Sequence, residues 1–426
     1  MANQDLFCLM ENIKDEDYVI ATYSLELDSN ESILKKASAF AVGQTLGTWT
    51  PVPGIDDEMR RKHMGKLINI YDIPAEDLDY EARNEKKRYL IQLAFPTVNF
   101  GAQFPMMMTT LTGNDASTSI STKLVDLQLP RSFVAGFAGP KFGIAGIRKL
   151  LNIPSRPLLL NMIKPCTGIT PEVGGRIFYE TALGGVDLIK DDELLGNPEF
   201  SSVANRVKAY KKAARQAYEE TGHKTLYVVN VTDQIANIAA NAKTAVELGA
   251  DAVMVNYAAV GFDVLSYIAK TVAVPVLGHY AGAGVFYESG STGISSHLIV
   301  GKFPRLAGAD MVIINTPYGN YPLRHQKYIS TAHHLTLPLY DLKPAFPAVG
   351  GGVHPGMVDR FVADLGSDII LASGGAVQGH PQGAAAGAKA MRQAIDAAHG
   401  GLSVEEAAGQ HEELKCALTL WGYQKP

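Results

Sequence analysis

Four consecutive residues, Lys190, Asp191, Asp192 and Glu193, stand directly after an apolar segment and could together bind a divalent cation. Carboxylate oxygens are ligands that hard cations such as Mg2+ prefer. A lysine becomes an oxygen ligand only if its amine, deprotonated by local desolvation, reacts with CO2 to form a carbamate. The alternative is a solvated charge run at a helix N-terminus, where carboxylates are also favoured. The four residues alone leave both interpretations open.

Further polar residues follow other apolar segments, namely Lys164, His279 and Asn315. Such positions suit catalysis if the segments are parallel strands whose carboxyl ends meet at one face. His279 would then lie beside the proposed cation, although a hydrogen-bonded core histidine is the simpler alternative. Cys166 has no histidine near it in the sequence, which favours a packing role over nucleophilic catalysis.

Two glycine clusters, Gly350-Gly351-Gly352 and Gly374-Gly375, follow the last two apolar segments. In barrels of parallel strands, the last two strand ends commonly bind a phosphate group through backbone N–H groups. Glycine also serves tight turns, which is the alternative explanation. Two clusters at neighbouring strand ends favour a phosphate site.

The elements that would position these residues are eight short apolar segments separated by helical sequence. The segments are Leu158–Ile163, Val186–Ile189, Leu226–Val231, Ala252–Asn256, Val274–Leu277, Met311–Ile314, Ala345–Val349 and Ile369–Ala372. Intervening stretches such as Phe200–Tyr218 and Gln234–Leu248 have the composition and apolar spacing of helices. Strands buried on both faces are rich in Val, Ile and Leu, so the pattern predicts a closed parallel (β/α)8 TIM barrel. A doubly wound open sheet is the alternative.

The first part of the chain lacks this alternation. Asp17–Leu27 and Lys87–Phe95 have the pattern of strands, and Glu31–Val42 that of a helix. We expect an α+β N-terminal domain of residues 1–143 and a barrel domain of residues 144–426. The segment Ser403–Lys425 is predicted to be helical and to cap the barrel.

Composition excludes several classes of protein. The chain has 426 residues and a net charge of -5, with no long basic run, which argues against nucleic-acid binding. Three scattered cysteines, Cys8, Cys166 and Cys416, are too few for a disulfide framework or a zinc site. The sequence has neither a secretory pattern nor an 18-residue apolar run, so we expect a cytoplasmic protein without membrane contact.

The segment Gly185–Glu193 resembles the RuBisCO large-subunit superfamily, and further matches follow in the same order along nearly the whole chain. They are Gly47-Thr48-Trp49-Thr50, Gly113-Asn114, Ile163-Lys164-Pro165, His279, Gly350–Gly352 and Gly379-His380-Pro381. The resemblance implies that Lys190 is carbamylated by CO2. It also implies that this carbamate binds one Mg2+ with Asp192 and Glu193.

The same resemblance implies roles for three other residues. Lys164 matches a lysine that handles protons during enolisation, and His279 matches a histidine that binds substrate. Asn114 matches an asparagine that reaches from the N-terminal domain into the active site of a partner subunit. At least a homodimer with shared active sites is therefore implied, with a ferredoxin-like N-terminal domain in each subunit.

Several positions depart from the pattern of true RuBisCO. The loop after the sixth strand, Asn315–Tyr321, lacks the lysine that holds CO2, so carboxylation is not expected. Cys166 replaces a second lysine. An active-site glutamate is missing, with Gly43 or Gln44 in its neighbourhood.

The ligands of a second phosphate are also replaced, by Tyr280 and approximately Ile313. Losing cationic or donor groups there should remove the second phosphate. A substrate with one phosphate and a less polar distal end follows. The remaining phosphate is expected on Gly352, Gly374 and Gly375, near Thr48.

Other segments are similar to RuBisCO-like proteins of methionine salvage, among them Gly222–Tyr227, Gly139–Gly143 and His354–Met357. The function expected first is isomerisation of 5-methylthioribulose-1-phosphate. A 2,3-diketo-5-methylthiopentyl-1-phosphate enolase is an alternative, but that enolase has its base lysine at the position of Asn114 and no lysine at that of Lys164. A decarboxylase of a phosphorylated 3-oxo sugar acid and a non-catalytic binding protein are further alternatives.

Overall fold

The computed structural model describes residues 6–48, 50, 52–75 and 86–425, with Ser119 described by its backbone only. Trp49, part of one predicted motif, lies outside them. The strands are β1 (Tyr18–Asp28), β2 (Lys66–Ile73), β3 (Lys86–Pro96), β4 (Lys123–Gln128), β5 (Leu158–Met162), β6 (Leu188–Lys190), β7 (Leu226–Asn230), β8 (Ala252–Asn256), β9 (Val276–His279), β10 (Gly293–Ile294), β11 (Met311–Asn315), β12 (Phe346–Gly350) and β13 (Ile370–Ser373).

The α-helices connect these strands and form the C-terminal segment. They are α1 (Ile33–Gly43), α2 (Asp57–His63), α3 (Phe104–Thr112), α4 (Arg131–Val134), α5 (Gly143–Leu151), α6 (Pro171–Leu183), α7 (Val203–Thr221), α8 (Ile235–Glu247), α9 (Tyr257–Val260), α10 (Phe262–Thr271), α11 (Gly284–Tyr287), α12 (Phe303–Leu306), α13 (His325–Thr336), α14 (Val358–Leu365), α15 (Gly375–Gln378), α16 (Ala384–Gly400), α17 (Val404–Ala407) and α18 (Glu412–Trp421). Short 3-10 and π-helical turns add Met10–Asn12, Thr97–Asn99, Asp115–Ser119, Glu199–Ser201, His297–Lys302 and Pro355–Met357.

The N-terminal sheet has the strand order β10-β4-β1-β3-β2. Strand β1 is antiparallel to β3 and β4, β2 is antiparallel to β3, and β10 adds in parallel to β4. Helix α1 lies between β1 and β2 in the chain. Its N-cap residue is Ser32, whose side chain accepts a hydrogen bond from Lys35 N. Helix α3 lies between β3 and β4, which completes the βαββαβ order of a ferredoxin-like domain. The predicted α+β domain is confirmed.

Eight parallel strands close into a barrel in the order β11-β12-β13-β5-β6-β7-β8-β9, and β9 pairs with β11 to complete it. Each of the eight apolar segments forms one barrel strand, with ends that differ from the prediction by at most two residues. Alternate residues such as Leu158, Leu160, Val228 and Met254 fill the interior. The closed barrel is confirmed, and the open sheet is excluded.

The chain divides into two compact units. One comprises Met1–Phe137 with Ala283–Ile299, and the other comprises Ala138–Gly282 with Val300–Pro426. The predicted division into residues 1–143 and 144–426 did not anticipate the second segment of the first unit. That segment includes β10, which is too short to leave a strand pattern in the sequence.

The C-terminal segment forms α17 and α18, as predicted. Helix α18 packs on α16, where Gln393 donates a hydrogen bond to Glu413 at 2.8 Å. No helix among the described residues is long and apolar enough to cross a membrane.

Candidate active site at the carboxyl ends of the barrel strands

The carboxyl ends of three strands bring the predicted lysines, carboxylates and histidine together. Lys164 Nζ lies 2.7 Å from Asp192 Oδ2. The side chain of Glu193 lies between two neighbours, with Lys190 Nζ at 3.4 Å and His279 Nε2 at 3.3 Å from its Oε2 atom. These five residues form one connected group, called here the strand-end cluster.

Burial lowers the pKa of two members of the strand-end cluster. Lys190 is only 1% exposed, and this burial lowers the pKa of its amine, although Glu193 and Asp192 partly oppose the effect. Burial and the charge of Lys190 also lower the pKa of His279. The His279 Nδ1 atom accepts a hydrogen bond from Ala281 N at 3.1 Å, so a neutral ring carries its proton on Nε2, towards Glu193.

Glu193 and Lys164 are held in their charged forms. Burial raises the pKa of Glu193, but the hydrogen bond from His279 and the charge of Lys190 outweigh it and hold the pKa well below its usual range. Burial lowers the pKa of Lys164, but hydrogen bonds to Asp192 and Cys166 outweigh it and raise the pKa above its ordinary value. The cluster therefore contains an ion pair, Lys164 with Asp192, next to a lysine that burial drives towards neutrality.

This donor set fits the implied Mg2+ and carbamate. A buried amine with a lowered pKa is the form of lysine that reacts with CO2. Asp192 and Glu193 supply the carboxylate oxygens that Mg2+ prefers. Lys190 would hold the ion through its carbamate, together with these two carboxylates.

Asp191 is not part of the cluster, although the sequence grouped it with its neighbours. Its carboxylate accepts hydrogen bonds from Tyr227 OH at 2.9 Å, Asn230 N at 2.9 Å and Arg206 Nε at 3.1 Å. Both Asp191 and Arg206 are buried. Because successive residues point to opposite sides of an extended segment, Asp191 faces the surrounding helices when Lys190 and Asp192 face the barrel mouth.

Arg206→Met should therefore weaken the fold without touching the cluster directly. It leaves the Asp191 carboxylate buried without its cation, a change that typically costs about 3–5 kcal/mol. We expect a clear fall in the urea midpoint of unfolding. Lys36→Ala, which breaks a partly exposed pair with Glu31, should cost about 0–1 kcal/mol. Equal midpoints for the two variants would contradict this role of Arg206.

Lys164 connects the cluster to the second glycine segment. Its Nζ atom lies 3.0 Å from Cys166 Sγ, so Cys166 is a contact of the lysine rather than a pure packing residue. A Cβ atom placed on Gly374 would lie 3.3 Å from Lys164 Cε. The backbone at Gly374 and the Lys164 side chain are therefore close neighbours, and Gly375 follows at the start of α15.

The two glycine clusters follow β12 and β13, as predicted. Gly351 and Gly352 have φ values of +97° and +102°, which disfavour other residues. Ser373 Oγ, at the end of β13, donates a hydrogen bond to Val353 O at 2.9 Å and ties the two loops together. A phosphate bound on Gly352, Gly374 and Gly375 remains a prediction.

The loop after β11 is fixed at several points. Asn315 Nδ2 donates to Tyr321 O at 3.0 Å, and Tyr318 OH donates to Asp364 at 2.8 Å. Asn320 N donates to Gly351 O at 2.9 Å. Within the described residues this loop therefore packs on the first glycine cluster, and its sequence has no lysine.

The predicted substrate residues Thr48 and Asn114 lie in the N-terminal unit, and their role in binding remains a prediction. Thr48 Oγ1 accepts a hydrogen bond from Thr50 N at 2.9 Å, and Asn114 is exposed after α3. A Cβ atom on Gly43 would lie 2.0 Å from Asp115 Oδ2. A carboxylate therefore fills the side-chain space of Gly43, in the neighbourhood where the resemblance implies that a glutamate is missing.

The sequence analysis missed two asparagines at strand ends, Asn230 on β7 and Asn256 on β8. Both donate hydrogen bonds to the backbone carbonyl of Glu193. Each is the last residue of its strand, so the rule that singled out Lys164 and His279 could have found them. They were not predicted as site residues because their amide side chains are neutral, whereas the predicted residues are mostly charged or titratable.

Comparison with known proteins gives close relatives over nearly the whole chain. A ribulose bisphosphate carboxylase-like protein of Archaeoglobus fulgidus is 45% identical over 92% of this chain and 90% of its own length. A 2,3-diketo-5-methylthiopentyl-1-phosphate enolase of Geobacillus thermodenitrificans is 39% identical over 95% of this chain and 98% of its own. The crystal structure of a rubisco-like protein (MtnW) from Alicyclobacillus acidocaldarius matches with a TM-score of 0.88 and 36% identity, covering 95% of this chain and all of that one.

These relatives correct the expected reaction. The isomerase expectation is wrong, because the relatives that match over 95% of the chain are named as enolases. It gave too much weight to Asn114 and Lys164. An isomerase and an enolase both remove a carbon-bound proton beside a polarised carbonyl, so residue types at strand ends do not separate them.

Two family models cover the chain. Residues 7–133 match the N-terminal domain of the ribulose bisphosphate carboxylase large chain, and residues 143–421 match its catalytic domain. The barrel, the ferredoxin-like domain and the enzymes among its relatives agree with these matches. The chain is therefore an enzyme of the RuBisCO large-chain superfamily and one of its RuBisCO-like proteins.

Proposed function

We propose that this enzyme is a metal-dependent enolase that acts on 2,3-diketo-5-methylthiopentyl-1-phosphate or a closely similar phosphorylated diketone. The relatives named as this enolase support the substrate class. The observation that carries the proposal is the strand-end cluster, in which Lys164, Asp192 and Glu193 lie together with Lys190 and His279. This cluster combines carboxylates that could bind a cation with a lysine, Lys164, that could transfer a proton.

The reaction moves one proton and leaves the atoms otherwise in place. In such a diketone, C1 lies between the phosphate ester and the C2 carbonyl, so its hydrogens are acidified by that carbonyl. Removing one C1 proton sends the electron pair of the C–H bond towards the C2 oxygen. Protonation of that oxygen then gives the enol.

The cluster residues have separate tasks in this proposal. Carbamylated Lys190, Asp192 and Glu193 would hold Mg2+. When bound, the ion would polarise the carbonyl oxygens. Half-buried Lys164 would accept the C1 proton through the neutral form of its amine. His279, oriented by Ala281 N, would donate its Nε2 proton to Glu193 or to a substrate oxygen.

Lys164 is the proposed base because this chain has an asparagine, Asn114, at the position of the base lysine of the similar enolases. The similar enolases have their base lysine at the position of Asn114, and an amide cannot accept a proton at neutral pH. Lys164 lies beside both Asp192 and Gly374, so a substrate with its phosphate on the glycine loops would have C1 near this amine.

The remaining contacts decide which substrates fit. Gly352, Gly374 and Gly375 would bind the single phosphate through backbone N–H groups. The apolar end of the substrate would contact Tyr280 and Ile313. Thr48 would lie near this phosphate, and Asn114 would be supplied by a partner subunit in a homodimer, as the resemblance implies.

The test is to incubate the protein with the diketone phosphate, Mg2+ and bicarbonate in D2O and to follow the reaction by proton NMR. We expect loss of the C1 hydrogens, appearance of the enol and dependence on Mg2+ that EDTA abolishes. Ribulose bisphosphate with CO2 should give no carboxylation product. Unchanged C1 signals with the wild-type protein would contradict the proposed function.

A further inference from the structure

The turn that carries Glu193 is held from two neighbouring strands. Asn256 Nδ2 donates to Glu193 O at 2.9 Å, and Asn230 Nδ2 lies 3.3 Å from the same oxygen and from Asp192 O. The asparagines end β8 and β7, whereas Glu193 lies three residues beyond the end of β6. Two rigid strand ends therefore fix a carbonyl that belongs to a turn.

The two asparagines form one network through Thr232. Thr232 N donates to Asn230 Oδ1 at 3.0 Å, and Thr232 Oγ1 accepts from Asn256 N at 2.9 Å. Asn230 is fully buried and Asn256 is 8% exposed, so water competes little for these hydrogen bonds. We call Asn230, Thr232 and Asn256 the amide clamp.

The location of the amide clamp indicates what it does. Lys190 is the last residue of a strand and is fixed by the sheet, but Asp192 and Glu193 follow the strand and depend on other contacts for their geometry. Metal ligands must be held closely in place if binding is not to cost conformational entropy. Hydrogen bonds from two neutral side-chain amides to the successive backbone carbonyls of Asp192 and Glu193 provide that restraint without adding charge to the site.

We infer that Asn230 and Asn256 are positioning residues, which hold Asp192 and Glu193 in the arrangement that binds a divalent cation. The inference rests on the proposed function, because it assumes the cation site. In addition, Asn256 Oδ1 is buried and has no hydrogen-bond partner among the described residues. A buried acceptor of this kind is normally satisfied by a donor, so Asn256 also offers an oxygen to a ligand bound beside Glu193.

The experiment measures Mn2+ binding in bicarbonate buffer by the EPR signal of the free ion, without any turnover. Asn256→Ala and Asn230→Ala should weaken Mn2+ binding about 10–100-fold, the usual effect of removing a group that orients a metal ligand. Thr232→Val keeps both amides and should weaken binding less than either.

Asn161→Ala is the matched control. Asn161 is also a fully buried asparagine of a barrel strand, with hydrogen bonds to Ser373 O at 2.8 Å and from Gln378 Nε2 at 2.7 Å. Its side-chain hydrogen bonds within the described residues go to these partners and not to the cluster. Its substitution should lower the melting temperature comparably and leave Mn2+ affinity within about twofold of wild type.

Mn2+ binding by these variants distinguishes failure of the inference from failure of the proposed function. If the wild type and Asn161→Ala bind Mn2+ and the two clamp variants bind it equally well, the inference is overturned and the proposed function stands. If the wild type binds no Mn2+ in bicarbonate, the proposed cation site fails and the inference fails with it. Should the alanine variants not fold, Asn256→Leu decides, because it keeps the buried volume and removes the amide donor; wild-type affinity in that variant overturns the inference.

Discussion

Lys190→Ala is expected to lose divalent-cation binding and at least about 1,000-fold in kcat/KM, since Lewis-acid stabilisation contributes several kcal/mol to such reactions. The variant removes the amine that would take up CO2, so the carboxylates of Asp192 and Glu193 remain as a weaker site. Burial lowers the pKa of this amine, whereas hydrogen bonds raise that of Lys164, so we expect CO2 to react with Lys190. Calorimetric titration with Mg2+ in bicarbonate buffer measures the loss.

Two variants control this experiment. Lys190→Met keeps most of the buried volume and separates loss of the amine from creation of a cavity. Lys243→Ala removes an exposed lysine that pairs with Glu247 on the surface of α8 and should behave as wild type. Mg2+ binding of wild-type strength in both Lys190 variants would mean that the cation does not depend on this residue.

Lys164→Met should lower kcat by about 100- to 10,000-fold, the usual contribution of a general base, while leaving Mg2+ binding intact. The side chain lies 2.7 Å from Asp192 and is only half-buried, so its loss opens no large cavity. Exchange of the C1 hydrogens with D2O should slow by the same factor, because the variant lacks the group that removes them.

Cys166→Ser is the comparison for Lys164. It keeps a hydrogen-bonding atom beside the amine and should change kcat by less than about tenfold, since one neutral hydrogen bond contributes about 1 kcal/mol. A larger loss from Cys166→Ser than from Lys164→Met would reassign the proton transfer.

The strand-end cluster could be predicted because the fold itself was predictable. Segments such as Leu226–Val231 and Met311–Ile314 are apolar on both faces, which only a sheet covered on both sides accommodates. Once parallel strands close into a barrel, their carboxyl ends meet, and the residues there, Lys190 and His279 among them, must lie close together.

Side-chain direction could not be read from the same pattern. The sequence does not distinguish Asp191 from Asp192. The hydrogen bonds that Asp191 accepts from buried Arg206 and Tyr227 show that it stabilises the fold. These partners lie 15 and 36 residues further along the chain. The fit of Asp115 into the space of Gly43 is equally non-local.

The exact reaction could not be predicted from the residue types at the strand ends, for a chemical reason. Enolisation and ketose isomerisation both begin with removal of a proton from a carbon beside a carbonyl, so they differ in where a proton returns and in which substrate fits. In the proposed function, those choices would depend on the side chains that surround the substrate, such as Tyr280 and Ile313, more than on the types of residue at strand ends.

A crystal structure of the protein grown with Mg2+ and bicarbonate tests the central claim most directly. The account predicts a carbamate on the Lys190 amine and a cation bound by that carbamate, Asp192 and Glu193. An unmodified Lys190 amine, with the cation elsewhere or not bound, would contradict it.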